Sequence, residues 1–303
     1  MAPMAGVTDQ HFRALVWQHG AGLTVSEMVS AKSILFNNKN ALRLLGNSPD
    51  IYPFSIQFFG REPDVIAEAI KRLEYIPFDI VDINMGCPMP KIVNNGEGSA
   101  LMKEPALAGE IIYAAVRASN RPVTVKIRKG YTNSTANAPE LAKIAQESGA
   151  VAIAVHGRTR DQLYTGLADW DAIKKVKESV SIPVFGNGDI YTPEDAVRRL
   201  SETGVDGLLI ARGAMGNPWL FSRTLKLLET GKLPSPPTHA EILETARQHL
   251  RMVAESPGSP IHEMRKHLSW YTKGMSGSAE ARRRINQAIS THEMEEILGG
   301  IEV

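Results

Sequence analysis

The chain's one cysteine stands on a turn, in Asn84-Met85-Gly86-Cys87-Pro88, directly behind the β-branched run Ile80-Val81-Asp82-Ile83. A thiol that only packs usually lies inside an apolar element, whereas glycine and proline here turn the backbone on either side and aim the sulfur toward a cleft. From this position alone a half-buried loop cysteine without chemistry stays open as an alternative. Lys126 adds weight to the chemical reading. It interrupts Val123-Thr124-Val125-Lys126-Ile127, and an ammonium within a strand is costly unless an anion or a carbonyl meets it, so a buried partner is implied. Other polar groups close similar runs: Gln57 after Phe54-Ser55-Ile56, Arg128 after Lys126, and His156-Gly157-Arg158-Thr159-Arg160 after Ala152-Ile153-Ala154-Val155. Two glycine-bearing loops follow, Gly186-Asn187-Gly188-Asp189-Ile190 and Ala211-Arg212-Gly213-Ala214-Met215-Gly216. Loops of this kind let backbone N–H groups approach a phosphate, and Arg212 supplies a forked cation beside them.

Positioning these groups requires strands that end together. The short β-branched runs are Ala2–Met4, clipped by the start of the chain, then Leu23–Glu27, Phe54–Phe58, Ile80–Asn84, Val123–Ile127, Ala152–His156, Val184–Gly186 and Gly207–Ala211. Helical spacing lies between them, as in Glu62–Tyr75, Pro105–Arg117, Pro139–Ser148, Trp170–Glu178 and Pro193–Leu200, several opening on proline where its missing N–H costs least. Eight strand-helix units within about 235 residues predict a (β/α)8 TIM barrel, whose chemistry belongs at the C-terminal strand ends. A doubly wound open sheet is the structural alternative, disfavoured because no Gly-x-Gly-x-x-Gly follows the first strand.

Beyond a proline-rich stretch, Gly231-Lys232-Leu233-Pro234-Ser235-Pro236-Pro237-Thr238, the spacing is helical throughout. The domain organisation read from this is a catalytic barrel over 1–235 and a small all-α domain over 238–303. Between His262 and Arg284 the latter carries Arg265, Lys266, Lys273, Arg282, Arg283 and Arg284 against Glu263 and Glu280, with Trp270 and Tyr271 interleaved. Such a patch tracks a phosphate backbone and stacks bases; the alternative is a solvated face over an aromatic core.

Composition sets outer limits. At 43% hydrophobic and 22% charged residues with a formal net charge of +1, the chain reads as an ordinary globular protein with no overall field toward nucleic acid. One cysteine excludes an internal disulfide and a multi-thiolate metal site, and no metal is expected. Neither a secretion signal nor a membrane-spanning apolar run is read, and the expected location is cytoplasmic with no obligatory protein partner.

Several of these segments together resemble the bacterial tRNA-dihydrouridine synthases. They are Ala2-Pro3-Met4-Ala5-Gly6-Val7-Thr8-Asp9, Asp82-Ile83-Asn84-Met85-Gly86-Cys87-Pro88, Lys126-Ile127-Arg128, His156-Gly157-Arg158-Thr159-Arg160, Gly186-Asn187-Gly188-Asp189-Ile190 and Arg265-Lys266-His267. The resemblance spans nearly the whole chain. It implies FMN as cofactor, NADPH as reductant and tRNA as substrate. It also implies that Pro3, Met4 and Ala5 lie against the flavin, that Gln57 bonds the ring edge, and that Lys126 meets it near N1 and O2. His156 would lie between flavin and substrate. Asn187, Gly188, Asp189, Ala211 and Arg212 would hold the ribityl phosphate, Ala211 standing where relatives often carry glycine. Asn84, Arg128, Arg158 and Tyr164 match the substrate side, and Arg265, Lys266, Arg282, Arg283 and Arg284 the RNA-holding surface. The implied reaction adds a hydride to carbon 6 and a proton to carbon 5 of uracil. A thiol with an ordinary pKa near 8.5 is mostly protonated at neutral pH, which suits Cys87 as the general acid. Two other functions compete: a flavin barrel reducing a small pyrimidine or enone, and a non-catalytic RNA-binding barrel.

Overall fold

In the computed structural model, residues 1–48, 50–256 and 258–301 are described. Eight strands form one all-parallel sheet: β1 (Thr24–Val25), β2 (Val29–Ser30), β3 (Phe54–Phe59), β4 (Ile80–Met85), β5 (Val123–Gly130), β6 (Ala152–Thr159), β7 (Val184–Asn187) and β8 (Gly207–Leu209). They run in the order β1-β3-β4-β5-β6-β7-β8, with β2 also paired to β3. Val81, Ile83, Val125, Ile127, Ile153 and Val155 are all fully buried, as expected for parallel strands covered on both faces.

Helices alternate with these strands. They are α1 (Gln10–Gln18), α2 (Ala31–Leu35), α3 (Lys39–Arg43), α4 (Pro63–Arg72), α5 (Pro90–Val93), α6 (Pro105–Ala118), α7 (Ala138–Glu147), α8 (Trp170–Ser179), α9 (Pro193–Thr203) and α10 (Trp219–Thr230). Proline stands in the first turn of α4, α6, α7 and α9, as the sequence predicts. In α9 the start is sealed further by a Thr192–Asp195 capping box and the end by Gly204 in the left-handed region.

The first two predicted strands come out differently. Ala2–Met4 forms no regular strand, yet its backbone closes the cylinder: the Met1 nitrogen donates to Leu23 O at 2.7 Å and the Ala2 N–H to Ile210 O at 2.8 Å. The run Leu23–Glu27 holds only the two residues of β1. Thr24 faces Phe54, an offset of 30, whereas Val29 faces Phe58, an offset of 29, so one extra residue is inserted between β1 and β2. The break turns Met28 toward the open end of the barrel, where it lines the cavity described below.

After α10 come α11 (His239–Ala254), α12 (Met264–Tyr271), α13 (Ser278–Gln287) and α14 (Thr291–Gly299), with no strand among the described residues of this segment. Leu243, Leu250, Leu268, Ile285, Met294 and Leu298 are buried and join the same continuous apolar core as the barrel. The architecture is a TIM-type barrel followed by C-terminal helices. No helix among the described residues is long and apolar enough to cross a membrane.

Candidate active site

At the C-terminal ends of the strands lies a cavity of about 430 Å³, within the usual range for cofactor sites. One wall is Pro3, Met4 and Ala5; Cys87 and Met89 line another, and Lys126, Arg128, His156 and the loops after β7 and β8 complete it.

Cys87 is held by its backbone on both sides. The Asn84 Oδ1 accepts from the N–H groups of Gly86 at 3.2 Å and Cys87 at 2.9 Å. The Cys87 carbonyl accepts from the Ser99 N–H at 3.0 Å and its hydroxyl at 2.9 Å. Gly98 permits this clamp: its φ is +59°, and a Cβ there would stand 2.8 Å from the Cys87 oxygen. Burial pushes the Cys87 thiol up, against weaker opposition from the Met89 N–H and the charges of Arg128 and Lys126, so the sulfur is protonated at neutral pH.

Beneath it, aligned positions of three strands carry polar groups: Gln57 pairs in register with Asp82, and Asp82 with Thr124. The Asp82 carboxylate accepts from Thr124 Oγ1 at 2.6 Å and from Gln57 Nε2 at 2.6 Å, and Asn84 Nδ2 donates to Gln57 Oε1 at 2.8 Å. Gln57 therefore keeps one amide hydrogen and one lone pair for a ligand.

Lys126 stands next along the floor. Its Nζ donates to Asn187 Oδ1 at 3.3 Å, while Asn187 Nδ2 is tied to Leu209 O at 2.6 Å. Burial, then the nearby Arg128, lowers the ammonium to about 8, partly offset by the charges of Asp82 and Cys87. Among the described residues no carboxylate lies within ion-pair distance of it. The buried counter-group expected from sequence is thus an amide oxygen, with the positive charge of Lys126 left uncompensated.

His156 is driven well below its ordinary pKa by burial and by the surrounding Lys126, Arg128, Arg158 and Arg212, so it is neutral. Arg158 Nη1 lies 3.3 Å from its Nε2; since a guanidinium only donates, Nδ1 carries the proton. Arg158 itself, grouped from sequence with the substrate contacts, does not line the cavity. It is 2% exposed and spends its donors on Asp189 at 2.7 and 2.8 Å and on the carbonyls of Thr165 and Gly166. Its place is behind His156 and Asp189.

The Asp189 carboxylate is likewise engaged, by Arg158, by the Ala168 N–H at 2.7 Å and by Arg212 at 3.3 Å. Burial works to raise it, yet these donors keep it below the usual range. A carboxylate so placed cannot ligate an anion. What this loop offers is backbone: the N–H groups of Gly188 and Asp189 meet no acceptor among the described residues. Gly188 has φ +133°, and a Cβ would come within 2.5 Å of Ala168 Cβ. The Arg212 guanidinium, 5.4 Å from the Tyr164 ring centre, completes an anion-accepting corner with Ala211.

Arg128 uses three donated bonds, each at 2.8 Å, to hold the carbonyls of Gly86, Thr159 and Leu163, and its guanidinium lies 5.6 Å from the centre of the Tyr164 ring. It lines the cavity while tying the thiol loop to the loop after β6. The five cations matched to the RNA-holding surface do not line the cavity, although Lys266 Nζ reaches to 3.4 Å from where a Cβ on Gly6, beside the cavity wall, would stand. Arg265 donates to Ala288 O at 2.7 and 3.0 Å, Lys266 lies 3.9 Å from Glu263, and Arg283 pairs with Glu280 at 2.6 Å. With Arg282 and Arg284 they form part of the α12–α13 surface.

Sequence reasoning missed Asp82, Thr124 and Met28. Asp82 carries the same signal as Lys126, a charge between Val81 and Ile83, but its meaning depends on two strand neighbours. Met28 carries none, because the break between β1 and β2 is invisible in the residues.

A barrel whose open end joins a thiol, an ammonium with no carboxylate beside it among the described residues and an anion-accepting glycine corner is a cofactor-dependent enzyme. Residues 1–301 match the family model described as dihydrouridine synthase. The chain is 47% identical over 291 residues to a probable tRNA-dihydrouridine synthase of Rickettsia conorii, covering 94% of this chain and 87% of that one. It is 44% identical over 296 residues to tRNA-dihydrouridine synthase B of Pseudomonas aeruginosa, covering 96% and 88%. Among solved structures, histamine dehydrogenase from Rhizobium sp. 4-9 aligns with TM-score 0.54 at 14% identity, covering 82% of this chain and 46% of that chain, a likeness of fold alone. The chain belongs to the dihydrouridine synthase family.

Proposed function

We propose that this protein is a tRNA-dihydrouridine synthase that saturates the carbon 5 to carbon 6 bond of uridines in tRNA, with FMN held in the barrel cavity, NADPH as reductant and Cys87 as proton donor. One juxtaposition carries the reading: the chain's single thiol lines the same cavity as Lys126 and the anion-accepting corner at Gly188 and Arg212. Size and donor set fit a flat anionic ring bearing a phosphate tail. Pro3, Met4 and Ala5 offer a wall for the ring, Gln57 and Lys126 its polar edge, and Asn187, Gly188, Asp189, Ala211 and Arg212 the phosphate. Bound there in its reduced form, FMN supplies the hydride for carbon 6 of uracil.

The chain's own residues do the rest. Cys87 gives its proton to carbon 5, and burial keeps that proton in place at neutral pH. Lys126 holds positive charge at the floor, where negative charge on a ring edge is otherwise unbalanced. Neutral His156, its proton on Nδ1, lines the cavity. Asn84, with one amide hydrogen left, Arg128 and Tyr164 orient the uracil, which leaves its stack to reach this depth. The barrel over 1–235 performs the reaction, and the helices from 238 onward hold the RNA.

The test uses the purified protein. FMN should be recovered by mass spectrometry, bleach with NADPH, and regain its colour when tRNA lacking dihydrouridine is added, with new dihydrouridine in the RNA. Failure of tRNA to restore the colour, or equal turnover of free uridine, overturns the proposal.

A further inference from the structure

The carboxylate of Asp82 lies under the cavity floor, 6% exposed, and none of the steps above uses it. We propose that Asp82 is a positioning residue: as a group that only accepts, it fixes the direction of a hydrogen-bond chain through Gln57 and Asn84 that ends on the backbone of Cys87.

Each link is set by geometry. Gln57 Nε2 donates to Asp82 Oδ2 at 2.6 Å, Asn84 Nδ2 donates to Gln57 Oε1 at 2.8 Å, and Asn84 Oδ1 accepts the N–H of Cys87 at 2.9 Å. Burial pushes the Asp82 carboxyl up, opposed by the Thr124 and Gln57 hydrogen bonds and the charge of Lys126; in its ionised form it cannot donate, and at the other end a backbone N–H cannot accept. The two amides between them have nearly the same shape either way round. Turning Gln57 over would set its oxygen against the carboxylate and its NH2 against that of Asn84. Relieving the second clash by turning Asn84 would then aim an NH2 at the N–H groups of Gly86 and Cys87. Only one orientation satisfies the whole chain: the Cys87 N–H demands it at one end, and the carboxylate at the other penalises any reversal of Gln57. Buried in low dielectric, these links are strong and a reversed one is costly. Thr124, donating to Asp82 Oδ1 at 2.6 Å, holds the carboxylate square to Gln57. Through this chain Asp82 helps set where the sulfur of Cys87 stands in the cavity. The catalytic consequence rests on Cys87 being the proton donor.

Cys87 is the only thiol, so alkylation by iodoacetamide reports on it alone. In holoenzyme, Asp82→Leu should speed alkylation several-fold, as the turn loses its anchor, and slow reoxidation of the reduced flavin by tRNA by about tenfold, with reduction by NADPH within about twofold of wild type. Asp82→Asn should recover most of both losses, because its oxygen can face Gln57 while its NH2 faces the Thr124 hydroxyl, which accepts as readily as it donates. Unchanged alkylation in Asp82→Leu, equal slowing of both half-reactions, or Asp82→Asn as damaged as Asp82→Leu overturns the inference; the last result would assign the effect to charge alone. Should Asp82→Leu fail to fold, Gln57→Leu cuts the chain one link nearer the sulfur, and unchanged alkylation there overturns it equally. Alkylation needs no RNA, so a wild-type enzyme inert toward tRNA would remove the functional reading without deciding this one.

Discussion

A thiol that donates a proton must keep it until the substrate arrives, and the surroundings of Cys87 favour that. Burial raises its pKa while Arg128 and Lys126 pull only weakly the other way, so the acid form persists through neutral pH and is lost above the raised value. With substrate bound, single-turnover reoxidation by tRNA should therefore stay level through neutral pH; on the alkaline side a first loss at about 8 belongs to the Lys126 ammonium, and a further loss, absent in Cys87→Ala, belongs to the thiol as it ionises. Cys87→Ala should bind FMN and tRNA as before and lose about a hundredfold to ten-thousandfold in that rate, the usual span for a general acid. Stopped-flow measurement at several pH values checks both, and an unchanged rate in Cys87→Ala would remove the sulfur from the reaction. Cys87 and Lys126 were legible in the sequence because each breaks a local pattern, a thiol on a turn and an ammonium in a strand. Arg158 was not: its ligands Asp189 and Gly166 are set by the folded loops, and nothing local distinguishes a guanidinium that reaches inward from one that meets a substrate.

Elements bring together a second group of titratable residues at the joint between α1 and the C-terminal helices. Asp9 caps α1 by accepting from His11 and Phe12 N–H groups, and its other oxygen lies 3.5 Å from Nε2 of His267 on α12, too long for a strong hydrogen bond. His249 on α11 packs its ring on His267, with centroids 4.7 Å apart, and on Phe12 at 5.8 Å; its Nδ1 lies 3.4 Å from the Tyr271 hydroxyl, and His11 adds repulsive charge. Burial, then His267, lowers His249 to about 3, so it is held neutral in the fold. Its ordinary value is 6.5, and between 6.5 and about 3 the unfolded chain takes up a proton that the folded one refuses. Stability is thus present above 6.5 and lost as pH falls through that window. By urea unfolding, lowering the pH from 6.5 to 5 should cost on the order of 2 kcal/mol through this residue. His249→Phe, which keeps a packed ring without the titration, should shrink the drop by about that amount, and an equal drop in both proteins would move the acid sensitivity elsewhere. The histidines were legible only as parts of helices. Their pairing with Asp9, some 240 residues away, belongs to the packing of α11 and α12 on α1.

At the scale of the molecule, the alternation of β-branched runs with proline-headed helices was enough to read a barrel, because both periods are local. Closure was not readable, since it rests on two backbone bonds from residues that adopt no regular strand. The basic helical surface was legible as a count of charges, but folding divides those charges unequally. Arg265 is spent on the Ala288 carbonyl between α12 and the end of α13; Arg265→Ala should therefore lower stability more than it changes the salt dependence of RNA binding. Arg283 is paired with Glu280, while Arg284 is exposed and Arg282 half-buried, with no ion-pair partner among the described residues. A cation already facing a carboxylate must give up that partner to meet a phosphate. Each unpaired cation that meets a phosphate adds roughly 0.7 to 0.9 to the slope of log affinity against log salt. Arg282→Ala and Arg284→Ala should each weaken tRNA binding and flatten that slope by nearly one, with Arg283→Ala doing less than either. Filter binding of tRNA across a series of salt concentrations measures all three, and slopes identical to wild type would return α13 to a merely solvated face and place the RNA on another surface of the barrel rim.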